Sequence, residues 1–347
     1  AVKSTDIVIV GAARTPQGRR KGALASFSGA QLGSFAIQGA LSQGNVNPEQ
    51  VDAVVMGQVL QAGAGQNPAR QAALGAGIPQ RSHAVTVNKV CLSGQASIID
   101  ASRMLHVGDA TVVVAGGMAS MSQAPHVMNG SRYDWSYGSF EVLDTMAHDG
   151  LTDASEGINM GSLTEKHNEA LSISRKDQDS VAALSHQRAA QAQDEGVFAR
   201  EITPVEVPQR RGEPIIVAHD EGIRDDTTVE GPAGLRPAFT PEGTITAASS
   251  SQISDGAAAV VLTTREHADA NGWSVLARLG APGQVAGPDN SLQSQPANAI
   301  AAALKREGLN ANALDFVEIN EAFAAVVVQS ARELGLSDTI INIHGGG

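Results

Sequence analysis

The chain has 347 residues, of which 42% are hydrophobic and 17% charged, enough to bury the core of two medium domains or one large two-lobed one. A formal net charge of −12 excludes the broad basic surface of a nucleic-acid binder, and a single cysteine excludes an internal disulfide or a Cys-rich zinc site. The apolar runs are too short for a membrane span or a signal peptide, which points to a cytoplasmic protein with no membrane partner.

In chain order, apolar runs at 7–10, 54–56, 85–87, 112–114, 260–262, 275–279, 316–319 and 340–343 lack polar alternation and read as buried parallel strands. Ala-rich helical patterns separate many of them, so strand–helix–strand units are expected. From 93 to 106 the pattern places Ile98, Ala101, Met104 and Leu105 on one helical face, with Gly108 positioned to cap its C-terminus. The order of pieces from DIVIVGAARTPQG to DATVVVAGGMASMS is taken up again from SVLARLGAPGQ to TIINIHGGG, which predicts two similar α/β halves, the second lacking its last layer. The expected boundaries are 1–120 with 251–272 for the first half, 121–250 for an inserted loop domain, and 273–347 for the truncated second half. The insert is richer in charge and gathers Tyr133, Trp135, Tyr137 and Phe140, either as a local mini-core or as an oligomer contact.

The cysteine, Cys91, lies in VNKVCLSGQA between the 85–87 strand and the 93–106 helix. A free cysteine is more often a small buried hydrophobe than a nucleophile. At a helix N-terminus, however, the dipole and the backbone N–H groups favour an anion, which is expected to lower the thiol from about 8.5 toward neutrality. Ser93 and Gly94 leave room for a substrate to approach the backbone, and the Cys91 N–H is placed to help hold an oxyanion. This setting suits acyl transfer through a thioester.

NKVCLSGQA resembles the nucleophile motif of the thiolases. GAARTPQG at 11–18, GGMASMSQAP at 116–125, GLRPAFTPEGTITA at 234–247, SDGAAAVVL at 254–262 and EINEAFAA at 318–325 resemble further thiolase motifs, in family order along nearly the whole chain. GLRPAF and NEAFAA set it apart from the ketoacyl synthases, which share the fold and a strand–helix cysteine. The resemblance implies the thiolase fold: duplicated βαβαβαββ halves in a five-layered α-β-α-β-α arrangement with an inserted loop domain. It also implies a ping-pong acyltransferase that works through acyl-Cys91 and interconverts two acetyl-CoA with acetoacetyl-CoA and CoA. A broader 3-ketoacyl-CoA thiolase of fatty-acid β-oxidation and a non-catalytic CoA-binding subunit are the alternatives. Coenzyme A and its acyl thioesters enter as substrates, no prosthetic group is implied, and a homodimer or homotetramer is.

Residue by residue, the resemblance implies that Asn320 holds a water in the oxyanion hole, that Ser251 contacts the pantetheine arm and that Arg224 lies near the nucleotide end of CoA. Met160 and Phe323 match apolar residues of the pantetheine and acyl pocket. Read without the family, Asn320 is a helix N-cap and Met160 and Phe323 are ordinary core. Arg210 and Arg211, with Arg224, are candidates for a local positive patch toward the CoA phosphates.

The chain departs from the family pattern in several places. The Gly-His-Pro histidine and the later Cys-Gly motif have no counterpart, so a chain ending at Gly347 is expected to turn over weakly, and a longer natural protein is the preferred reading. His344 is not that histidine, because the family usually has Asn there, and the remaining histidines show no metal-ligand spacing, so no metal site is expected. Leu92 stands where glycine or alanine is common, and Asn159 precedes Met160 where many short-chain members have histidine.

Overall fold

The computed structural model describes residues 3–130, 132–133, 137–228 and 230–346; Trp135 of the expected aromatic group lies outside them. The strands in chain order are β1 (Ile7–Arg14), β2 (Gly18–Arg19), β3 (Ala53–Gly57), β4 (His83–Val87), β5 (Val112–Ser120), β6 (His126–Val127), β7 (Leu143–Asp144), β8 (Val205–Val207), β9 (Ile215–Val217), β10 (Ser254–Thr264) and β11 (Ala277–Arg278). The helices are α1 (Gly29–Gln43), α2 (Pro68–Gly75), α3 (Ser93–Val107), α4 (Met160–Ala170), α5 (Arg175–Asp194), α6 (Glu230–Ala233), α7 (Arg265–Asn271), α8 (Gln295–Glu307) and α9 (Ala324–Leu334). Contacts group the chain into two units: 1–151 with 199–222 and 253–279, and 152–198 with 223–252 and 280–347.

The first unit is built on a sheet in the order β11-β1-β10-β5-β3-β4, with β2 paired to the start of β10. β3 runs parallel to β4 and β5, whereas β10 runs antiparallel to β5 and to β1. The sheet is therefore mixed rather than parallel throughout; burial on both faces accounts for the unalternated apolar runs of β3 and β5, whereas β4 and β11, expected to be buried, are exposed or half-buried at the sheet edges. Val54 and Met56 of β3 pack into a cluster with Ala36, Ile37 and Ala40 of α1 and Ala72 of α2. Ala53 and Val55, one residue out of phase, pack with Ala101 and Leu105 of α3. Two-sided burial removes alternation whatever the strand direction, so the pattern reports cover, not polarity.

Local chemistry sets the helix ends. Ser28 and Gln31 form a reciprocal capping box at the start of α1. α3 ends at Gly108 in the left-handed conformation, as the sequence predicts, with Ala101 and Leu105 buried along it.

The second unit is helical, around a core of Ile173, Ile245, Val317, Ile319, Phe323, Val326 and Ile341. The strands expected at 316–319 and 340–343 are not formed; the two segments share one parallel bridge, Val317 to Ile341. Asn342 turns into the left-handed region at φ 47°, which ends the extended run after that bridge. Its side chain takes over the pairing, accepting from the Ile319 N–H at 2.8 Å and donating to the Ile319 carbonyl at 2.9 Å. Among the described residues no helix is long and apolar enough to cross a membrane.

Candidate active site

Cys91 sits on a tight elbow between β4 and α3. The Asn88 side chain accepts from the Val90 N–H at 2.9 Å, and the Ser93 hydroxyl accepts from the Lys89 N–H at 2.9 Å while donating to the Val90 carbonyl at 2.5 Å. Within this closed ring Val90 holds φ 51°, a left-handed conformation that a β-branched residue adopts at a cost of about 1–3 kcal/mol. The elbow lies against the sheet because Gly57 carries no side chain; a Cβ there would run into Ser93. Ser97 pins the first turn of α3 by reaching both the Gly94 and the Gly116 carbonyls at 2.6 Å.

The elbow opens on a solvent-connected cavity of about 340 Å³, lined by Cys91, Gln58, Met118, Thr15, Ala257 and Arg14 among others. Arg14 is the one charged side chain among the described residues that line it besides the titratable thiol. Its guanidinium is already engaged, bidentate to Asp220 at 2.7 and 2.9 Å and by Nε to Glu201 at 2.7 Å. One cation against two carboxylates adds no positive field for a thiolate.

The thiol accordingly differs from expectation. Cys91 is exposed at the cavity mouth, yet partial desolvation pushes its pKa up, and the backbone N–H of Cys91 itself offsets only part of that rise. Burial is thus the largest influence on the thiol, and it acts against the lowering expected at a helix N-terminus.

The other predicted residues belong to the second unit. Ser251 and the 320–323 segment are neighbours there: the Ser251 N–H donates to the Ala322 carbonyl at 3.1 Å, Ser250 bridges Phe323, and the Ala324 N–H donates to the Ser249 carbonyl at 2.9 Å. Asn320 and Ser251 both have exposed side chains. Asn320 is not a helix cap, since α9 begins at Ala324 with Phe323 in the capping position. Phe323 is 7% exposed and meets Phe239 edge to face with ring centres 5.9 Å apart, and Met160 packs against the same core. Arg224 is exposed; its N–H donates to Nδ1 of His186 at 3.2 Å. Asn159 caps α4 through its side chain to the Gly161 N–H at 2.8 Å.

Two polar residues next to Asn320 escaped the sequence reading. Glu321 accepts from Asn342 at 2.8 Å and from the Ser185 hydroxyl at 2.7 Å. Burial pushes its carboxyl pKa up, against the lowering effect of those two hydrogen bonds and of Arg188. Asn342 is 3% exposed. Their sequence signal is an Asn just ahead of a Gly-rich tail, two residues before the exposed His344.

Comparison with known proteins decides the family. The profile of the thiolase N-terminal domain matches residues 7–266 and that of the thiolase C-terminal domain matches 273–347. The chain belongs to the thiolase family. It is 54% identical to a Mycobacterium tuberculosis protein named "Probable acetyl-CoA acetyltransferase" over 342 residues, 99% of this chain and 87% of the relative. It is 42% identical to the acetyl-CoA acetyltransferase of Cupriavidus necator, again over 99% of this chain and 87% of the relative. The crystal structure of the Bacillus anthracis acetyl-CoA acetyltransferase superposes with a TM-score of 0.94 at 36% identity, covering 99% of this chain and 86% of that one. This thiolase is therefore an acyltransferase with the thiolase fold, and NKVCLSGQA and EINEAFAA lie on its Cys91 elbow and on its Asn320 segment respectively.

Proposed function

We propose that this thiolase transfers acetyl groups between coenzyme A thioesters, interconverting two acetyl-CoA with acetoacetyl-CoA and CoA by a ping-pong reaction through acetyl-Cys91. The strained elbow that presents Cys91 to an open cavity carries the reading, supported by the acetyl-CoA acetyltransferase names of the relatives. In the thiolytic direction Sγ of Cys91, giving up its proton, attacks the C3 ketone carbon of acetoacetyl-CoA, the C2–C3 bond breaks to leave acetyl-Cys91, and the acetyl-CoA fragment leaves as its enolate and is protonated at C2. The acetyl group then passes from sulfur to the thiol of a second CoA, which gives up its proton.

Burial pushes the Cys91 pKa up, so a general base that takes the thiol proton as the bond forms is expected to contribute about 10²–10⁴-fold in rate. Asn320, exposed on the 320–323 segment, is assigned to the thioester oxyanion through a water, and Ser251 beside it to the pantetheine arm. Met160 and Phe323 act from the hydrophobic core behind these residues. Arg224 faces solvent and is assigned to a CoA phosphate.

We assign the free edge of β4, the last strand of the sheet, to a homodimer contact; Val85 on it is 46% exposed. Tyr133 and Phe140, 82% and 58% exposed, are assigned to a further contact in a tetramer. Turnover of acetoacetyl-CoA with CoA by the purified protein, absent in Cys91→Ala, tests the reaction; equal turnover in that variant would overturn it.

A further inference from the structure

We propose that Asn342, together with Glu321, is a clamp that positions Asn320 for catalysis. The inference rests on the assignment of Asn320 to the oxyanion and adds the residues through which the fold fixes it.

Asn342 brackets Asn320 on both sides. Toward the preceding residue, its side chain makes the complete amide pair with Ile319, accepting from N–H at 2.8 Å and donating to C=O at 2.9 Å. Toward the following residue, it donates to Oε1 of Glu321 at 2.8 Å. A primary amide has two donors and an acceptor, and here one buried amide joins the residues before and after a third, leaving Asn320 itself free to face outward.

The clamp is anchored from behind. Oε2 of Glu321 accepts from the Ser185 hydroxyl of α5 at 2.7 Å, and that hydroxyl accepts from the Gly346 N–H at 2.9 Å. The Asn342 N–H donates to the Val317 carbonyl at 2.9 Å, which fixes the clamp to the hydrophobic core of the same unit. These groups line a small cavity of about 80 Å³ whose walls include Val181, Leu184 and Ile341. The left-handed backbone of Asn342, φ 47°, aims its side chain back along 319–321; Asn tolerates that conformation and also supplies the amide, whereas Gly supplies only the conformation.

The outcome distinguishes positioning from mere structure. Asn342→Gly keeps the backbone conformation and removes the amide. In the intact protein it is expected to lower kcat for acetoacetyl-CoA thiolysis by about tenfold to a hundredfold with KM for CoA unchanged, while Asn320→Ala loses about 10²–10³-fold. In the Asn320→Ala background, adding Asn342→Gly is expected to cost no more than about twofold, since the clamp then has nothing to position. If Asn342→Gly does not fold, Glu321→Ala leaves the Ile319 pair intact and carries the same cycle, with a loss seen only when Asn320 is present. Full multiplicative loss in the double variant, or a wild-type rate in both Asn342→Gly and Glu321→Ala beside a slow Asn320→Ala, would overturn the clamp and leave the role of Asn320 standing. A wild-type rate in Asn320→Ala would overturn both.

Discussion

The hydroxyl of Ser93 reaches back 2.5 Å to the carbonyl of Val90, closing the turn that carries Cys91. That bond and its partner from Lys89 act together with the Asn88–Val90 bond to hold the left-handed Val90. Ser93→Ala removes both hydrogen bonds of the hydroxyl and is expected to cost about 1 kcal/mol of stability and to slow acylation of Cys91. Val90→Gly relieves the backbone strain but adds unfolded-state entropy, so its stability is expected to stay within about 1 kcal/mol of wild type while acylation slows. Denaturant titration paired with acylation kinetics checks both; faster acylation in either variant would contradict the role given to the elbow.

The raised thiol has a readable pH signature. A group whose pKa is pushed up is charged less than usual at neutral pH, so alkylation of Cys91 in the free protein is expected to keep rising with pH beyond the ordinary cysteine range. Iodoacetamide rates across pH, read by peptide mass, decide it. A plateau reached below the midpoint of a free cysteine would show an activated thiolate instead.

Glu321 carries a stability consequence of known sign. Its folded pKa lies above its unfolded value, so its contribution is fully present below the unfolded pKa and is lost as pH rises through the folded one. The melting temperature of the wild type relative to Glu321→Gln is therefore expected to be highest in acid and to fall as pH rises above the ordinary glutamate range. A gap that instead widens in favour of the wild type would mean that hydrogen bonds outweigh burial at this carboxyl.

Arg14, Asp220 and Glu201 form a largely buried ionic cluster at the cavity wall, with the Arg14 and Asp220 side chains 19% and 10% exposed. Arg14→Ala removes the cation beside the buried Asp220 carboxylate and is expected to cost about 3 kcal/mol, whereas Asp220→Ala leaves Arg14 paired to the half-exposed Glu201 and is expected to cost less. The double variant should recover part of the loss. Strictly additive melting data would show that the pair contributes no coupling.

The assigned dimer contact at β4 predicts that Val85→Lys, which places a charge on the free sheet edge, shifts the protein toward monomer. Sedimentation velocity on both proteins checks this; an unchanged assembly would move the contact elsewhere.

What the sequence revealed and what it hid have physical causes. The strands under 54–56 and 112–114 and the helix after Cys91 were legible because two-sided burial and a helical face leave marks at fixed periods. Strand direction left no such mark, and β10 proved antiparallel. The Cys91 and Asn320 motifs were legible through family resemblance, whereas the thiol's raised pKa was not, because it depends on how the fold buries the sulfur. The 316–319 and 340–343 runs looked like strands since their apolar residues are buried, yet one side chain, Asn342, replaces the ladder. A lone Asn with a left-handed backbone gives no periodic signal.

The proposed reaction requires Cys91 to carry the acetyl group. Intact mass of the purified protein, taken before and after brief exposure to acetoacetyl-CoA, reads this directly. The expected result is a gain of one acetyl group, lost on adding CoA and absent in Cys91→Ala. No gain in the wild type, or an equal gain in Cys91→Ala, would contradict it.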